Sequence, residues 1–171
     1  MKMKSSYRQK GFSLIELLIV VAIILIIAAI AIPNLLRARI AANEASAVGS
    51  VRTLNTAQVA YSTTYGTGFT TLAQLGGAAG CVAAPATACL IDPVLTVGTK
   101  SGYTVATVPA TGAGTVLSPF QTFEVNATPL SVSTGTRAFC SDQSGVIRYN
   151  TTGVAIGTGT GNCSAVPTIL Q

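Results

Sequence analysis

The stretch GFSLIELLIVVAIILIIAAIAIP, residues 11–33, decides the architecture of the chain. The 21 residues from Phe12 to Ile32 carry one ionisable side chain, Glu16, and a helix needs about 20 predominantly apolar residues to cross the hydrocarbon of a bilayer. The stretch is therefore a transmembrane candidate. A lone acid within such a span costs about 2.5–3.5 kcal/mol on insertion scales. No Lys, Arg or His lies between Lys10 and Arg37 to neutralise it. Two readings follow: Glu16 lies close enough to the membrane face to snorkel toward water, or it has a job that requires a partner from elsewhere.

Outward from this segment, charge is unevenly distributed. The chain has 171 residues and a formal net charge of +5, a balance that could suggest a nucleic-acid or anionic-surface binder. Its distribution argues otherwise, because four of the ten basic residues, Lys2, Lys4, Arg8 and Lys10, precede Gly11. The remainder sets Arg37, Arg39, Arg52, Lys100, Arg137 and Arg148 against Glu16, Glu44, Glu124, Asp92 and Asp142, and is nearly neutral. The basic cluster reads as an orientation signal that keeps the N-terminus cytoplasmic and sends the rest of the chain across the membrane. No nucleic-acid site is evident. The length suits one membrane segment and one modest folded domain.

Cys81, Cys89, Cys140 and Cys163 all fall on the exported side of this topology. An even count in an oxidising compartment favours two disulfides. Three connectivities are open. Pairing Cys81 with Cys89 and Cys140 with Cys163 is preferred because each closes a local loop, although spacing does not exclude the crossed pairings. Neither pair has the close CxxC spacing common at zinc sites. The chain contains no histidine, which removes the commonest general base, the Ser-His-Asp triad and most catalytic metal shells. No metal, cofactor or catalytic residue is expected, and the chain does not read as an enzyme.

Beyond Pro33, apolar and aromatic residues at Val48, Val51, Leu54, Tyr61 and Tyr65 follow one helical stripe, with Arg52, Asn55 and Thr56 turned away. The spacing predicts a single helix from about Phe12 to about Thr64, roughly 80 Å long at 1.5 Å per residue. Its first half is apolar all round and its second half amphipathic. Pro33 removes one helical hydrogen bond and crowds the carbonyl of Ala29, so a kink is expected there. Gly49 is a second, smaller weakness.

From Gly66 the composition shifts to Thr, Gly, Ala and Pro. Residues 67–95 read as an irregular connection with at most a short helix or strand near Leu90. GYTVATV, FQTFEVNA, TRAFCSD and GVIRYN then read as strands, with DQSG, residues 142–145, connecting the last two as a hairpin. The fold class is α+β: one long N-terminal helix packed on a small C-terminal antiparallel sheet. The Gly- and Thr-rich tail after Asn150 would be tethered through Cys163 to Cys140.

The quoted stretch, extended to KGFSLIELLIVVAIILIIAAIAIPNLLRAR, resembles the N-terminus of type IV prepilins and their pseudopilin relatives. The matching features are a short basic leader ending in Gly11, then Phe12, Glu16 four residues later, an apolar helix and Pro33. NEASAVGSVRTLNTAQVAYSTTYGTGF and GTRAFCSDQSGVIRYN also look like pilin segments, with less specificity.

The resemblance implies a pilin fold with a leader at 1–11, a transmembrane and filament-core helix at 12–33, an amphipathic half at 34–65 and a globular head at 66–171. It implies cleavage between Gly11 and Phe12 by an inner-membrane prepilin peptidase, which also methylates the new amine of Phe12. It further implies that Glu16 neutralises the amino terminus of an adjacent subunit as subunits join a homo-oligomeric filament. An inner-membrane assembly platform driven by a separate ATPase would extract the subunit from the membrane. The precursor would lie in the bacterial inner membrane with its head exported, and the mature form in an extracellular pilus. One departure stands out: many relatives carry a glycine upstream of the proline, whereas this chain has none between Phe12 and Pro33, leaving only Pro33 to weaken the helix.

Two rival readings share parts of this pattern. A secretory signal peptide could be cut after Ala29-Ile30-Ala31, but its apolar region usually spans 7–15 residues and has no use for an acid. A type II secretion pseudopilin would share the N-terminus and form a periplasmic pseudopilus. Major pseudopilins of that system commonly bind calcium near the C-terminus, which needs six to eight oxygens, and Asp142 is the sole carboxylate after Glu124. Sequons at Asn126, Asn150 and Asn162 are short enough to arise by chance in a Thr-rich chain.

Overall fold

The computed structural model describes residues 12–110, 112–156 and 161–170. It divides into two compact units, Met1–Arg37 and Ala38–Gln171, and the expected leader, residues 1–11 with Gly11, lies outside the described residues. Helix α1 is Leu14–Tyr65 and contains Pro33 without interruption. Its N-terminal half is exposed on every side from Phe12 to Ile27 and again from Ala29 to Arg39, as a sequence without a polar face requires. It is long and apolar enough to cross a membrane.

In the second unit α1 becomes one-sided. Val48, Val51, Leu54 and Tyr61 are buried on the stripe, joined by Ala47 and Ala57, and Tyr65 packs partly buried against them. Asn55 departs from the expectation that it turns away: it is half-buried, and its Nδ2 donates to Ser141 Oγ at 2.7 Å. A position at the margin of the stripe lies within reach of the sheet, so a side chain with a hydrogen-bond donor is held there.

The segment after α1 holds more regular structure than its composition suggests. Helix α2 is Leu72–Leu75 and α3 is Pro93–Thr96, while Leu90 itself lies in neither a helix nor a strand. Asp92 caps α3 by accepting from Leu95 N at 2.7 Å, and Pro93 occupies the first helical turn, where its missing N–H does no harm. Leu75 and Leu95, fully buried, carry both short helices into the core. The disulfide Cys81–Cys89 closes the loop between them.

Strands β1 (Thr99–Lys100), β2 (Tyr103–Ala110), β3 (Thr122–Pro129), β4 (Ala138–Asp142) and β5 (Ile147–Asn150) form an antiparallel meander in chain order. The DQSG connection is a tight turn, with Gly145 N donating to Asp142 O at 2.9 Å and Gly145 in the left-handed region at φ 75°. Alternation along β2 buries Tyr103, Val105 and Thr107 and leaves Thr104 outside, the mark of a strand covered on one face.

Strand β3 is buried continuously from Phe123 to Ala127, so both of its faces are covered. Phe123, Val125 and Ala127 meet the α1 stripe in the main core. On the other side, the Cys140–Cys163 disulfide joins Ala138, Ile156 and Val166 in a second small core. The tail also adds to the sheet edge: Tyr149 N donates to Thr168 O at 3.0 Å and Leu170 N to Ile147 O at 2.9 Å. This backbone pairing, invisible in a Gly- and Thr-rich sequence, covers the edge of β5.

Candidate assembly site

The start of α1 gives Glu16 a local role that the sequence reading did not assign. Ser13 precedes the first helical residue, and Glu16 lies three positions beyond it. Ser13 N donates to Glu16 Oε2 at 3.0 Å. This is the carboxylate half of a capping box, in which the acid satisfies one of the N–H groups that a helix start leaves without a partner. The signal was legible as S-x-x-E. The placement also sets a negative charge at the positive end of the helix dipole.

Around that cap the surface is apolar. Phe12 is 85% exposed, and Leu14, Ile15, Leu17 and Leu18 surround Glu16 with open aliphatic surface. Among the described residues no cation reaches its carboxylate. The site therefore offers one acid, held in a fixed direction by its bond to Ser13 N, within a sheath that water solvates poorly.

The chain matches known proteins over part of its length. Residues 6–32 fit the family model of the prokaryotic N-terminal methylation motif. The N-terminal segment is of the prepilin type. The chain is also similar to two known proteins. The type IV major pilin protein PilA of Myxococcus xanthus is 48% identical over 54 residues, 32% of this chain and 24% of that protein. The type IV wide pilus major component PilA4 of Thermus thermophilus is 71% identical over 35 residues, 20% of this chain and 27% of that protein. The matches thus span about a quarter of each relative's length. No solved structure matches the chain.

The remaining sequence-derived positions are separate from this segment. Pro33 lies inside α1, and the four cysteines form two disulfides within the second unit. Among the described residues no three His, Cys, Asp or Glu side chains converge as a metal site. Asn126, the first of the sequons, is buried in β3. Asn150 Nδ2 donates to Val154 O at 2.8 Å, while Asn162 is exposed.

The charged centre that sequence reasoning missed is Glu44. It is 5% exposed on α1, and Oε1 accepts from Thr136 N at 3.0 Å, Thr136 Oγ1 at 2.9 Å and Arg137 N at 3.2 Å. Oε2 accepts from Arg137 Nε at 2.8 Å and pairs with Nη2 at 2.6 Å. The Arg137 guanidinium also stacks over Phe139 and Tyr149, at 5.5 and 5.3 Å from the ring centres. Burial pushes the Glu44 carboxyl up, but the hydrogen bonds from Arg137 and Thr136 and the Arg137 charge outweigh it and hold the group below its ordinary 4.5. Nearby, Tyr103 is pushed up to about 12 by burial and by the Glu44 charge. One clue was available: Glu44 lies four residues before Val48, on the buried stripe, and an acid there needs a partner.

Proposed function

We propose that this chain is a prepilin whose mature form is the repeating structural subunit of a type IV pilus-like filament. The observation that carries the reading is the prepilin-type segment in the apolar, exposed N-terminal half of α1, whose one acid, Glu16, accepts from Ser13 N–H. A prepilin peptidase hydrolyses the bond between Gly11 and Phe12, and the freed amine of Phe12 is methylated. The apolar half of α1 holds the subunit in the bacterial inner membrane, N-terminus cytoplasmic and head exported. A membrane platform driven by a separate ATPase moves it into the filament.

In this reading the filament is stitched by charge. Each new subunit brings the amine of Phe12 into an apolar bundle, where an unpaired charge is costly, and Glu16 of a neighbouring copy neutralises it. A subunit at the wrong height leaves both charges unmatched, so the pair sets axial register. The work is mechanical, and no residue has a catalytic role.

The test is the mass of the mature N-terminus, measured on material sheared from cells and on the membrane fraction. Methylated Phe12 in sheared long filaments supports a pilin. The same end confined to membranes moves the assignment to a secretion pseudopilin, and a start at Ile32 shows an ordinary secreted protein.

A further inference from the structure

One side of α1 and the C-terminal segment enclose a cavity with an excess of positive charge. Ala45, Val48 and Arg52, at spacings of three and four, line it from the helix. Leu170, placed by the bond from its N–H to Ile147 O at 2.9 Å, lines it from the tail. Glu44 and Arg137 also belong to the lining. The cavity is about 290 Å³, close to the lower end of ordinary ligand pockets, about 300 Å³.

Two guanidinium groups thus stand against one carboxylate. Both oxygens of Glu44 are taken by Thr136 and Arg137, so those two charges cancel and that of Arg52 is left over. Arg52 is exposed, and among the described residues no acid pairs with it. The other acids of the head are engaged: Asp92 pairs with Lys100, Asp142 accepts from Ser144 N, and Glu124 is 1% exposed. A counter-anion for Arg52 therefore comes from outside the head.

A lone surface arginine is ordinarily just solvated. Here a second guanidinium lines the same cavity, and it is already ordered. Glu44 holds Arg137 through Nε and Nη2, bonds that do not use Nη1, and the group lies 5.5 and 5.3 Å from the ring centres of Phe139 and Tyr149. A fork held this way loses little freedom when it takes an anion. The remaining walls, Ala45, Val48 and Leu170, are aliphatic and offer an apolar group a place out of water.

We infer that this cavity binds a carboxylate carried on a short aliphatic body, the carboxylate on Arg52 and Arg137 Nη1 and the body against Ala45, Val48 and Leu170. One negative charge neutralises the site, whereas a dianion would leave an excess beside Glu44. Two planar oxygens match guanidinium forks. A free aliphatic acid and the carboxyl end of an apolar peptide share this chemistry. The site lies wholly within the second unit and needs no filament.

The test titrates the full chain in dodecyl maltoside with hexanoate, acetate, hexanol and N-acetyl-leucine, following the arginine Nε–H signals by NMR. Hexanoate is expected to saturate the Arg52 signal with a Kd of about 1 mM and to bind about tenfold more tightly than acetate; hexanol is expected to leave that signal in place. Arg52→Gln is expected to keep the thermal midpoint and lose hexanoate binding. Ala45→Leu, at an exposed helical position, is expected to fill the apolar wall and erase the advantage of hexanoate over acetate. Tighter binding of N-acetyl-leucine than of hexanoate assigns the ligand to a peptide end, and the reverse order to a free acid. No saturable hexanoate binding to the wild type overturns the inference, as does hexanoate binding unchanged in Arg52→Gln or in Ala45→Leu.

Discussion

Replacing Glu16 by both alanine and glutamine separates its two physical roles. Its bond from Ser13 N at 3.0 Å is a helix cap, and losing a cap costs about 1 kcal/mol. Glutamine serves at this position of a capping box as well as glutamate does, so Glu16→Gln keeps the cap and removes only the charge. If the charge pairs with a neighbour's amine in an apolar bundle, its removal strands that amine at about 3–5 kcal/mol. At about 1.4 kcal/mol per tenfold, each subunit addition weakens by roughly a hundredfold to several thousandfold. The membrane precursor responds in the opposite sense, since neutralising the acid relieves up to about 2.5–3.5 kcal/mol of insertion penalty. Chain quantified in sheared filaments and in membranes should therefore show both variants inserted and cleaved, with filaments lost from both. Wild-type filament yield from Glu16→Gln, with loss only in Glu16→Ala, would refute the charge argument and leave Glu16 as a cap.

Glu44→Gln should destabilise the head by about 2–4 kcal/mol, less than a fully buried pair because the Arg137 side chain is 37% exposed, and thermal unfolding measures it. Because the folded-state pKa of Glu44 is lowered from 4.5, the stability it supplies is complete above that value and is lost as pH falls through the folded pKa. The thermal midpoint should fall on acidification below about pH 4.5, and fall less in Glu44→Gln; equal pH profiles would contradict the assignment. Cys163→Ser opens a loop with a sequence separation of 23, a loss of about 3 kcal/mol. Arg148 Nη1 donates to Val166 O at 2.9 Å in that tail, so the variant should be cut by trypsin after Arg148 faster than the wild type, and unchanged protection would show that the tail is held by other contacts.

How much of this was legible depends on whether a feature repeats. The α1 stripe and the four main strands follow periods of 3.6 and 2, and a period survives errors at single positions. The short helices α2 and α3 have no period to read. What sets α3 is one cap, Asp92, followed by Pro93, a signal two residues long in a segment dominated by Thr, Ala and Gly. The tail beside β5 is held by backbone bonds and one disulfide, which side-chain patterns do not encode. Buried polar contacts failed for a different reason. Gln58, fully buried, donates to Thr70 O at 2.6 Å and Thr107 Oγ1 at 2.9 Å and accepts from Thr70 N at 2.8 Å. Its position on the helix is readable, but partners 12 and 49 residues away emerge only once the sheet is in place.

The disposition of acids limits how copies of this chain can hold one another. In the head, Glu44 is saturated by Thr136 and Arg137, Asp92 pairs with Lys100 at 3.0 Å, Asp142 binds Ser144, and Glu124 is 1% exposed beneath the tail. Arg37, Arg39 and Arg52 are exposed, yet the head presents no uncommitted surface acid for them among the described residues. Ion pairs between heads are therefore a poor source of cohesion, and in the proposed filament Glu16 is the acid left for a neighbour. Salt tests this directly. Raising NaCl from about 0.1 to 1 M shortens the Debye length from about 10 to 3 Å, which screens exposed charges but leaves a pair buried in an apolar bundle nearly unaffected. Sheared filaments should keep their length and sedimentation across that range, whereas detergents that solvate apolar surface should dissociate them. Dissociation by salt alone would mean that exposed arginines, rather than Glu16 and the apolar surfaces, join the subunits.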